Sequence, residues 1–382
     1  MKKRLLLLGA SGSIGKQTLD VIRCHQEELE LVGVSVGNNV GALVDILNEF
    51  DVKYAYCINQ DDIITTKYPN VKFFFGDQGL IDIVKVEDYD MLVNALVGFV
   101  GFMPTLEAIN NKKDIALANK ETLVAGGDII NEALQENNVK LFPIDSEHSA
   151  ILQSMQGHRF EDIRRLIITA SGGAFRDYSR ADLVNADLEK ALQHPVWNMG
   201  AKITIDSSTM MNKGFEVIEA HHLFHLPYDK IDVVIHPQSI VHSMVEYNDG
   251  SIIAQLGCPD MHLPIKYALL YPKHSLDFCS QYLDLTEVAN LQFMKLDYNR
   301  FPLVRLAKEL GTFGGNSGAF LNGANDEAVS LFLNNKISFV EIEEYIFNTL
   351  KDAHFKQKPT AEDLVSSHKW AMEHVDYLWA NS

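Results

Sequence analysis

The sequence predicts an α/β protein with an N-terminal Rossmann-like parallel sheet, a middle α/β domain and a C-terminal helical bundle. The apolar segment "RLLLL" leads into a glycine-rich turn and then a helical segment, and further apolar strands alternate with helices up to about residue 145. Strands, irregular loops and helices are mixed in the middle of the chain. From about residue 299 the pattern is that of amphipathic helices alone.

Length and composition are those of a folded protein with several domains. The chain has 382 residues, of which 47% are hydrophobic and 22% charged, so two or three domains with sizeable cores are expected. The expected boundaries are a Rossmann-like domain at 1–145, a middle domain at 146–275, a linker at 276–298 and a helical domain at 299–382. The formal net charge of −18 argues against sequence-independent nucleic-acid binding but is compatible with a local pocket for a small anion.

The sequence indicates a cytoplasmic protein that does not associate with membranes. The first apolar run is only four leucines, which is too short for the core of a signal peptide, and no apolar stretch could span a bilayer. The cysteines are scattered, without a CxxC pair, so we expect free thiols in a reducing compartment. These cysteines are Cys24, Cys57, Cys258 and Cys279.

The first strand is followed by a glycine fingerprint. Gly9, Gly12 and Gly15 follow the spacing GxxGxxG between the strand and a helix. Such glycines allow a tight turn and close backbone approach, and the helix N-terminus offers N–H groups to a phosphate. A plain tight turn would give the same spacing, but the strand–turn–helix context favours dinucleotide binding.

The second strand ends in Gly37, Asn38 and Asn39. An NAD site usually has an Asp or Glu near this point to bind the ribose 2′-hydroxyl group. Without a carboxylate there, nothing would repel a 2′-phosphate, and this favours NADP. An arginine that would bind the 2′-phosphate is also missing.

Two later segments bring polar residues to the carboxyl edge of the same predicted sheet, where open α/β sheets bind ligands. Asn119, Lys120 and Glu121 follow one apolar strand, and a contact with nicotinamide or substrate competes here with a solvated loop lysine. The strand "VKLFPID" brings Asp145 and Glu147 to this edge, where an ordinary helix cap is the alternative.

The middle domain contains two irregular segments suited to ligand binding. Ser171 and the two glycines after it end a strand, and their exposed N–H groups predict an anion-binding turn rather than a plain glycine-rich turn. The segment 192–202 carries His194, Trp197 and Met199, which are large residues for a loop. It is either packed on the surface or folds over a ligand as a lid.

The segment 202–224 predicts a strand, a capped turn and a helix. Ser207, Asn212 and Lys213 lie before or in the first helical turn, which favours a phosphate. Glu216 and Glu219 follow among apolar residues, and buried carboxylates require a metal or another partner.

Asp145, Glu147 and Glu216 together form an oxygen-only ligand set, which suits Mg²⁺ or Mn²⁺. A metal site with nitrogen ligands is an alternative, because the chain also has histidines in these segments. They are His148, His194, His221, His222 and His225. We expect His148, His236 and His242 to be structural, and likewise the histidines of the "HHLFH" helix.

Two other functions are compatible with parts of this pattern. An aldehyde dehydrogenase with a catalytic thiol would need an activated cysteine, and Cys258 is the mid-chain candidate, although no feature marks it as activated. A non-catalytic NADP sensor would leave the three carboxylates without a purpose.

The motifs "GASGSIG", "ANKETLVAGG", "PIDSEH", "ITASGGAFRD", "HPVWNMG", "MMNKGFEVIEA", "IHPQSIVHSMVE" and "AQLGCPDM" occur in this order. With them the sequence closely resembles the 1-deoxy-D-xylulose 5-phosphate reductoisomerase family over essentially the whole chain. The resemblance implies a cytoplasmic homodimer whose middle domain is catalytic and whose lid lies near 192–202. It also implies NADPH-dependent rearrangement and reduction of this phosphorylated sugar to 2-C-methyl-D-erythritol 4-phosphate, with Mg²⁺, Mn²⁺ or Co²⁺, in isoprenoid precursor synthesis.

The resemblance also implies a role for each matching residue. Asp145, Glu147 and Glu216 would hold the metal, and Ser146 and Lys120 would contact the substrate backbone. The phosphate end would be bound by Ser171, His194, Ser207, Asn212 and Lys213, beneath Trp197 and Met199 of the lid. NADPH would contact Ser11, Gly12, Ser13, Ile14, Gly37, Asn38, Asn39, Asn119, Lys120, Glu121 and Gly200. The first turn has Ala10-Ser11 where many relatives have Ser-Thr, which keeps the hydroxyl group at position 11.

Overall fold

The computed structural model describes residues 1–275 and 281–382, and the chain forms two compact units. The first unit comprises Met1–Thr122, Ile130–Ser149 and Asp260–Gln281. The second unit comprises Leu123–Ile129, Ala150–Pro259 and Tyr282–Ser382. Each unit is therefore built from segments that are distant in sequence.

Strands and helices are numbered in chain order. The strands are β1 (Lys3–Leu8), β2 (Leu29–Ser35), β3 (Tyr54–Cys57), β4 (Lys72–Phe75), β5 (Met91–Asn94), β6 (Asp114–Leu117), β7 (Leu141–Pro143), β8 (Ile163–Ala170), β9 (Ile231–Ile235), β10 (Val241–Tyr247), β11 (Ile252–Leu256) and β12 (Met294–Lys295). The helices are α1 (Ser13–Cys24), α2 (Val40–Glu49), α3 (Asp62–Lys67), α4 (Gly76–Ile83), α5 (Phe102–Asn110), α6 (Glu121–Asn137), α7 (Ser146–Ser154), α8 (Leu188–Ala191), α9 (Ala201–Ser208), α10 (Met211–Phe224), α11 (His262–Leu270), α12 (Leu285–Val288), α13 (Pro302–Phe313), α14 (Ser317–Leu333), α15 (Phe339–Asp352) and α16 (Ala361–Ala380).

The first unit contains a seven-stranded parallel sheet in the order β4-β3-β2-β1-β5-β6-β7. The leucines of β1 are fully buried, as a central strand covered on both faces requires. Strand order reverses at β1, so the topological switch point lies between β1 and β5. Ligands of open α/β sheets bind at such a point, outside the carboxyl ends of the strands. This confirms the predicted Rossmann-like sheet.

Helix α11 completes the first unit although it lies far along the chain. Ile265 and Leu269 belong to the same buried core as Leu19 and Ile22 of α1. Lys3 at the start of β1 donates a hydrogen bond from Nζ to the Leu269 carbonyl oxygen, at 2.5 Å. The core of the sheet therefore depends on residues from two distant parts of the sequence.

The second unit contains a five-stranded mixed sheet in the order β11-β10-β8-β9-β12. Strands β8 and β9 are parallel and the other neighbours are antiparallel, including the predicted hairpin of β10 and β11. One hydrophobic core joins this sheet to α10 and to the helices α13 to α16. The C-terminal helices, which were predicted, thus share a core with the sheet before them.

Two local predictions differ from the structure. Residues 202–208 form most of helix α9 rather than a strand, because Thr204, Ile205, Asp206 and Ser208 are all buried and burial around the helix removes the periodic signal. The expected linker contains α12 and the short strand β12, which pairs with β9. A two-residue strand is too short to be recognised from periodicity, and residues 276–280 lie outside the described part.

Cys57 and Cys258 are free, as expected. Cys24 is disulfide-bonded, so the expectation of a free thiol is wrong for this residue, and Cys279 lies outside the described residues. A disulfide between distant parts of a chain leaves no local spacing pattern to read. In the two described ranges, 1–275 and 281–382, every helix is too short or too polar to cross a lipid bilayer.

Candidate functional site

The turn after β1 needs glycine for steric reasons. Gly9 has φ +81°, and a Cβ atom there would lie 2.5 Å from the Ala95 carbonyl oxygen at the end of β5. A Cβ atom at Gly15 would lie 2.2 Å from the Gly9 carbonyl oxygen. The first turn of α1 therefore packs directly against the loop at the switch point.

The N-terminus of α1 is open to a ligand. Gly12 is the N-cap residue and has no side chain to accept hydrogen bonds from the first N–H groups of the helix. Such a helix end, lacking an internal acceptor, suits an anionic group. Ser11, Ser13 and Ile14 lie in this same turn and first helical residues, so the predicted group at 11–14 forms one continuous surface.

The loop after β2 is exposed at Gly37, Asn38 and Asn39. The side chain of Asn39 already accepts a hydrogen bond from the Ala42 N–H group at 3.0 Å and caps α2. Asn38 accepts one from Asn59 at 3.4 Å. A Cβ atom at Gly37 would meet no atom within 4 Å, so this position has room for a larger residue.

Asn119 and Glu121 hold the loop after β5. The fully buried Asn119 donates hydrogen bonds from Nδ2 to the carbonyl oxygens of Leu96 and Gly98, at 3.1 and 2.8 Å, and to Glu121 Oε2 at 3.0 Å. Glu121 also accepts from the Gly98 N–H group, at 3.3 Å. The side chain of Asn119 thus positions the loop beside the switch point, a role that its sequence position did not reveal.

Lys120 and Asp145 form an ion pair at the carboxyl ends of β6 and β7. Lys120 Nζ lies 2.6 Å from Asp145 Oδ2, with side-chain exposures of only 8% and 14%. Burial alone would raise the pKa of Asp145, but the charges of Lys120 and His148 outweigh it and hold that pKa well below its usual range. Asp145 is therefore ionised at neutral pH.

His148 lies beside this pair and is completely buried. Its Nδ1 atom is 3.6 Å from Asp145 Oδ2, one helical turn along α7. The structural role expected for His148 is therefore to orient Asp145. Next to it, Ser146 donates a hydrogen bond from Oγ to Glu147 Oε2 at 2.5 Å, so the predicted residues 145–147 are mutually held.

In the second unit, the turn after β8 forms a compact polar group with His194 and α9. Ser171 Oγ lies 2.8 Å from His194 Nε2. Gly173 has φ +67°, and a Cβ atom there would lie 2.4 Å from the Ser207 carbonyl oxygen, so only glycine allows this approach. The predicted residues Ser171, His194 and Ser207 thus come together at the end of β8.

The tautomer of His194 follows from its hydrogen bonds. Its Nδ1 atom accepts from the N–H groups of Val196 and Trp197, at 3.2 and 2.8 Å, so in the neutral ring the proton lies on Nε2 and is donated to Ser171 Oγ. Burial and the nearby charge of Lys213 lower the pKa of His194 to about 4. The Ser171 hydroxyl proton is left to donate to a ligand.

Lys213 and Asn212 fix the carboxylate of Glu216 on α10. Lys213 Nζ donates to the Thr169 carbonyl oxygen at 2.7 Å and forms an ion pair with Glu216. Asn212 Nδ2 donates to Glu216 Oε1 at 2.5 Å. Glu216 is only 1% exposed and Glu219, one turn further, is fully buried. The predicted burial of both carboxylates is confirmed.

The segment between α8 and α9 is a loop that carries His194, Trp197 and Met199, all partly exposed. Trp197 faces the ring of His242, with ring centroids 6.2 Å apart. Gly200 is exposed and ends the loop as the N-cap of α9.

Two further histidines are structural, as expected from the sequence. His236 accepts hydrogen bonds at Nε2 from the N–H groups of Ile240 and Val241, at 3.2 and 3.1 Å. Nδ1 of His221 lies 2.7 Å from the Leu226 carbonyl oxygen.

Three family models match successive parts of the chain. The model described as 1-deoxy-D-xylulose 5-phosphate reductoisomerase matches residues 5–127. The model of the 1-deoxy-D-xylulose 5-phosphate reductoisomerase C-terminal domain matches residues 141–224, and that of the DXP reductoisomerase C-terminal domain matches residues 256–374.

Individual relatives match over nearly the full length. The 1-deoxy-D-xylulose 5-phosphate reductoisomerase of Bacillus subtilis (strain 168) is 50% identical over 380 residues, which cover 98% of this chain and 99% of that protein. The enzyme of that name from Geobacillus sp. (strain WCH70) is 49% identical over 365 residues, covering 95% and 96%.

Solved structures of such enzymes share the fold. The Zymomonas mobilis enzyme in complex with NADPH has a TM-score of 0.91 and 38% identity, and the match covers 99% of both chains. A DOX-P reductoisomerase in complex with NADPH, fosmidomycin and magnesium also has a TM-score of 0.91, with 36% identity over 99% of this chain and 98% of that one.

The pKa of His194 gives a first prediction. Because its folded-state pKa of about 4 lies below the ordinary value of 6.5, folding opposes protonation of this ring, and stability is lost as the pH falls from about 6.5 to about 4. NMR spectra of protein with labelled histidine rings should show His194 as the neutral Nε2–H tautomer from pH 8 down to about 5. A charged His194 ring at pH 6.5 would contradict the prediction.

Proposed function

This chain belongs to the 1-deoxy-D-xylulose 5-phosphate reductoisomerase family, and we propose that the residues described above carry out the reaction of that family. The enzyme isomerises and reduces 1-deoxy-D-xylulose 5-phosphate to 2-C-methyl-D-erythritol 4-phosphate, with NADPH and a divalent metal, in non-mevalonate isoprenoid precursor biosynthesis. The observation that carries the assignment is 50% identity to a relative of this name over 98% of the chain.

The first unit fits NADPH. The uncapped N-terminus of α1 offers N–H groups for the pyrophosphate, next to Ser11 and Ser13. The exposed end of β2 at 37–39 contains no carboxylate that would repel a 2′-phosphate. At the switch point, the loop held by Asn119 and Glu121 would border the nicotinamide end, with Lys120 and, from the lid, Gly200 as further contacts.

The donor chemistry fits a hard divalent cation. Asp145, Glu147 and Glu216 supply only carboxylate oxygens, the ligands that Mg²⁺ and Mn²⁺ prefer, and Co²⁺ is also compatible with them. Asp145 is held ionised beside the Lys120 ammonium group, so it does not need to lose a proton before it binds a cation, and Glu216 lies against the Lys213 ammonium group. When bound, the metal acts as a Lewis acid on the ketone and hydroxyl oxygens of the substrate.

The polar group at the end of β8 fits the phosphate end of the substrate. Neutral His194 donates to Ser171, which directs the Ser171 hydroxyl proton outward, and Lys213 contributes positive charge. Ser207 and Asn212 would add donors from α9 and from the first turn of α10. This group therefore orients the substrate and carries no protons in the reaction.

Four further residues would contact the substrate backbone or exclude solvent. The Lys120 ammonium group, already placed on Asp145, would hold a substrate oxygen, and Ser146 would hydrogen-bond to a substrate hydroxyl group. Trp197 and Met199 of the exposed loop would close over the bound substrate and exclude water, which protects the intermediate aldehyde from hydration.

The protein is proposed to act as a homodimer in the cytoplasm. Strand β11 lies at one edge of the second sheet and exposes Ile252 and Leu256, which are 52% and 36% accessible. The unpaired backbone groups of an exposed edge strand are a template for pairing with another chain. Sedimentation at micromolar concentration should give twice the chain mass, and a monomer would reject the dimer.

The metal assignment predicts a loss of turnover at one residue and no loss at another. Glu216→Gln removes one charged ligand and should lower metal-dependent turnover more than about a hundredfold. Cys258→Ala should leave turnover within about twofold, because no step uses a thiol. Both are measured as NADPH oxidation with 1-deoxy-D-xylulose 5-phosphate, with and without Mg²⁺ or Mn²⁺.

The reverse pattern would support a thiol dehydrogenase. An active Glu216→Gln enzyme would reduce Glu216 to a structural partner of Lys213. Activity of the wild-type protein after complete removal of divalent metal would reject the metal-dependent mechanism, and the absence of any oxidation would reject the substrate.

Cofactor preference can be tested at Gly37, where the backbone has room for a side chain. Gly37→Asp places a carboxylate near the proposed 2′-phosphate and should raise the KM for NADPH about tenfold or more, through like-charge repulsion. Gly37→Asn is the matched control, because it has the same size without the charge. An equal KM for NADPH in the two variants would show that the 2′-phosphate binds elsewhere.

A further inference from the structure

A partly buried polar network in the second unit links α9 to two C-terminal helices, α14 and α16. We call it the α9 anchor; its residues are Lys202, Asp206, Asn325, Asp326 and His368. Lys202 Nζ lies 2.8 Å from Asp206 Oδ2 on its own helix and 3.1 Å from Asp326 Oδ1 on α14. His368 Nε2 on α16 lies 3.1 Å from Asp326 Oδ2.

A second bond strengthens the same connection. Asn325 Nδ2 donates to Asp206 Oδ1 at 2.8 Å, and Asn325 is fully buried. Burial would raise the pKa of Asp326, but the charges of Lys202 and His368 outweigh it and lower that pKa. The side chain of Asp206 is 3% exposed, so its two hydrogen-bonding partners take the place of water. Helix α9 is thus held at Lys202 and at Asp206 by two adjacent residues of α14.

The segment that precedes α9, residues 181–201, is also held at its N-terminal end. The guanidinium group of Arg180 binds both carboxylate oxygens of Glu343 on α15, at 2.8 and 2.5 Å. Arg300, just before α13, donates to the Tyr178 carbonyl oxygen at 2.9 Å. Both ends of the segment 181–201 are therefore fastened to the C-terminal helical region.

The fastened segment contains the residues proposed to cover the substrate. His194, Trp197 and Met199 lie within it, and Ser207 directly follows Asp206. A loop of this length has many conformations unless its ends are fixed, and a misplacement of about 1 Å at a binding group can cost about a hundredfold in rate. Networks that fix both ends therefore bear on substrate binding.

We propose that Lys202, Asp206, Asn325, Asp326 and His368 are positioning residues, through which the C-terminal helices hold α9 and the end of the 192–200 loop in the geometry that binds the substrate phosphate. The proposal rests on the proposed function, because it assigns Ser207 and His194 to the phosphate. In this proposal the C-terminal helices contribute to substrate affinity as well as to the hydrophobic core of the second unit.

The test uses single substitutions in the full-length enzyme. Asn325→Ala removes one hydrogen bond to Asp206, and Lys202→Met removes the charge between the two aspartates. Lys202→Arg restores that charge. Asp352→Asn is the control, because it removes another His–Asp pair of the same helical region, in which Asp352 Oδ2 lies 3.2 Å from His374 Nε2 between α15 and α16.

The measurements are the KM values for 1-deoxy-D-xylulose 5-phosphate and NADPH, the inhibition constant of inorganic phosphate, and the Tm. Asn325→Ala and Lys202→Met should raise the sugar-phosphate KM and the phosphate inhibition constant about tenfold, with the NADPH KM within about twofold. Lys202→Arg should recover most of the loss. Asp352→Asn should leave all three constants unchanged, whatever it does to the Tm.

Unchanged phosphate and substrate constants in Asn325→Ala, with a lower Tm, would show that the network serves stability alone and would overturn the proposal. If Lys202→Met does not fold, Asn325→Ala decides, since it removes one uncharged partner. A wild-type enzyme without metal-dependent NADPH oxidation would instead refute the proposed function, so the two failures are distinguishable.

Discussion

The buried ion pairs Lys120–Asp145 and Lys213–Glu216 are the interactions on which the proposed chemistry of this chain depends. A buried carboxylate loses its hydrating water and needs a compensating charge. Asp145 lies against the ammonium group of Lys120, and Glu216 lies against that of Lys213. Lys120 keeps Asp145 ionised, and Lys213 orients Glu216, before any ligand arrives. The side chains that the proposal assigns to the metal are therefore already fixed in position.

The same requirement explains the dense polar contacts around the pairs. His148 supports Asp145 from one turn along α7, and Asn212 supports Glu216 from one turn earlier on α10. Backbone carbonyl groups take part as well, since Lys213 also binds the Thr169 oxygen at the end of β8. The functional side chains are therefore fixed at strand ends and helix starts, where neighbouring backbone is rigid and has polar groups to offer.

The parts of the fold and site that were predictable are those with a local signal. The leucines of β1, the glycines at 9, 12 and 15 and the two buried glutamates of α10 each lie in a short stretch whose pattern indicates its role. The sequence of helix α9 predicts a strand, because burial on most of the helix surface leaves no helical period. The link between Asp206 and Asn325 joins residues 119 positions apart, and a single sequence has no signal for such a pairing. Likewise, Asn119 shows its structural role only once the loop at Leu96 and Gly98 is seen to accept its hydrogen bonds.

Helix α11 has a consequence for the order in which this protein can be built. The first sheet is synthesised within the first 143 residues, but its core includes Ile265 and Leu269, and Lys3 binds the Leu269 carbonyl oxygen. During synthesis, part of the apolar surface of the first sheet therefore remains exposed until residue 270 has been translated. Domains usually fold as units from the N-terminus during synthesis, but here the first unit can close only after most of the second sheet has been made.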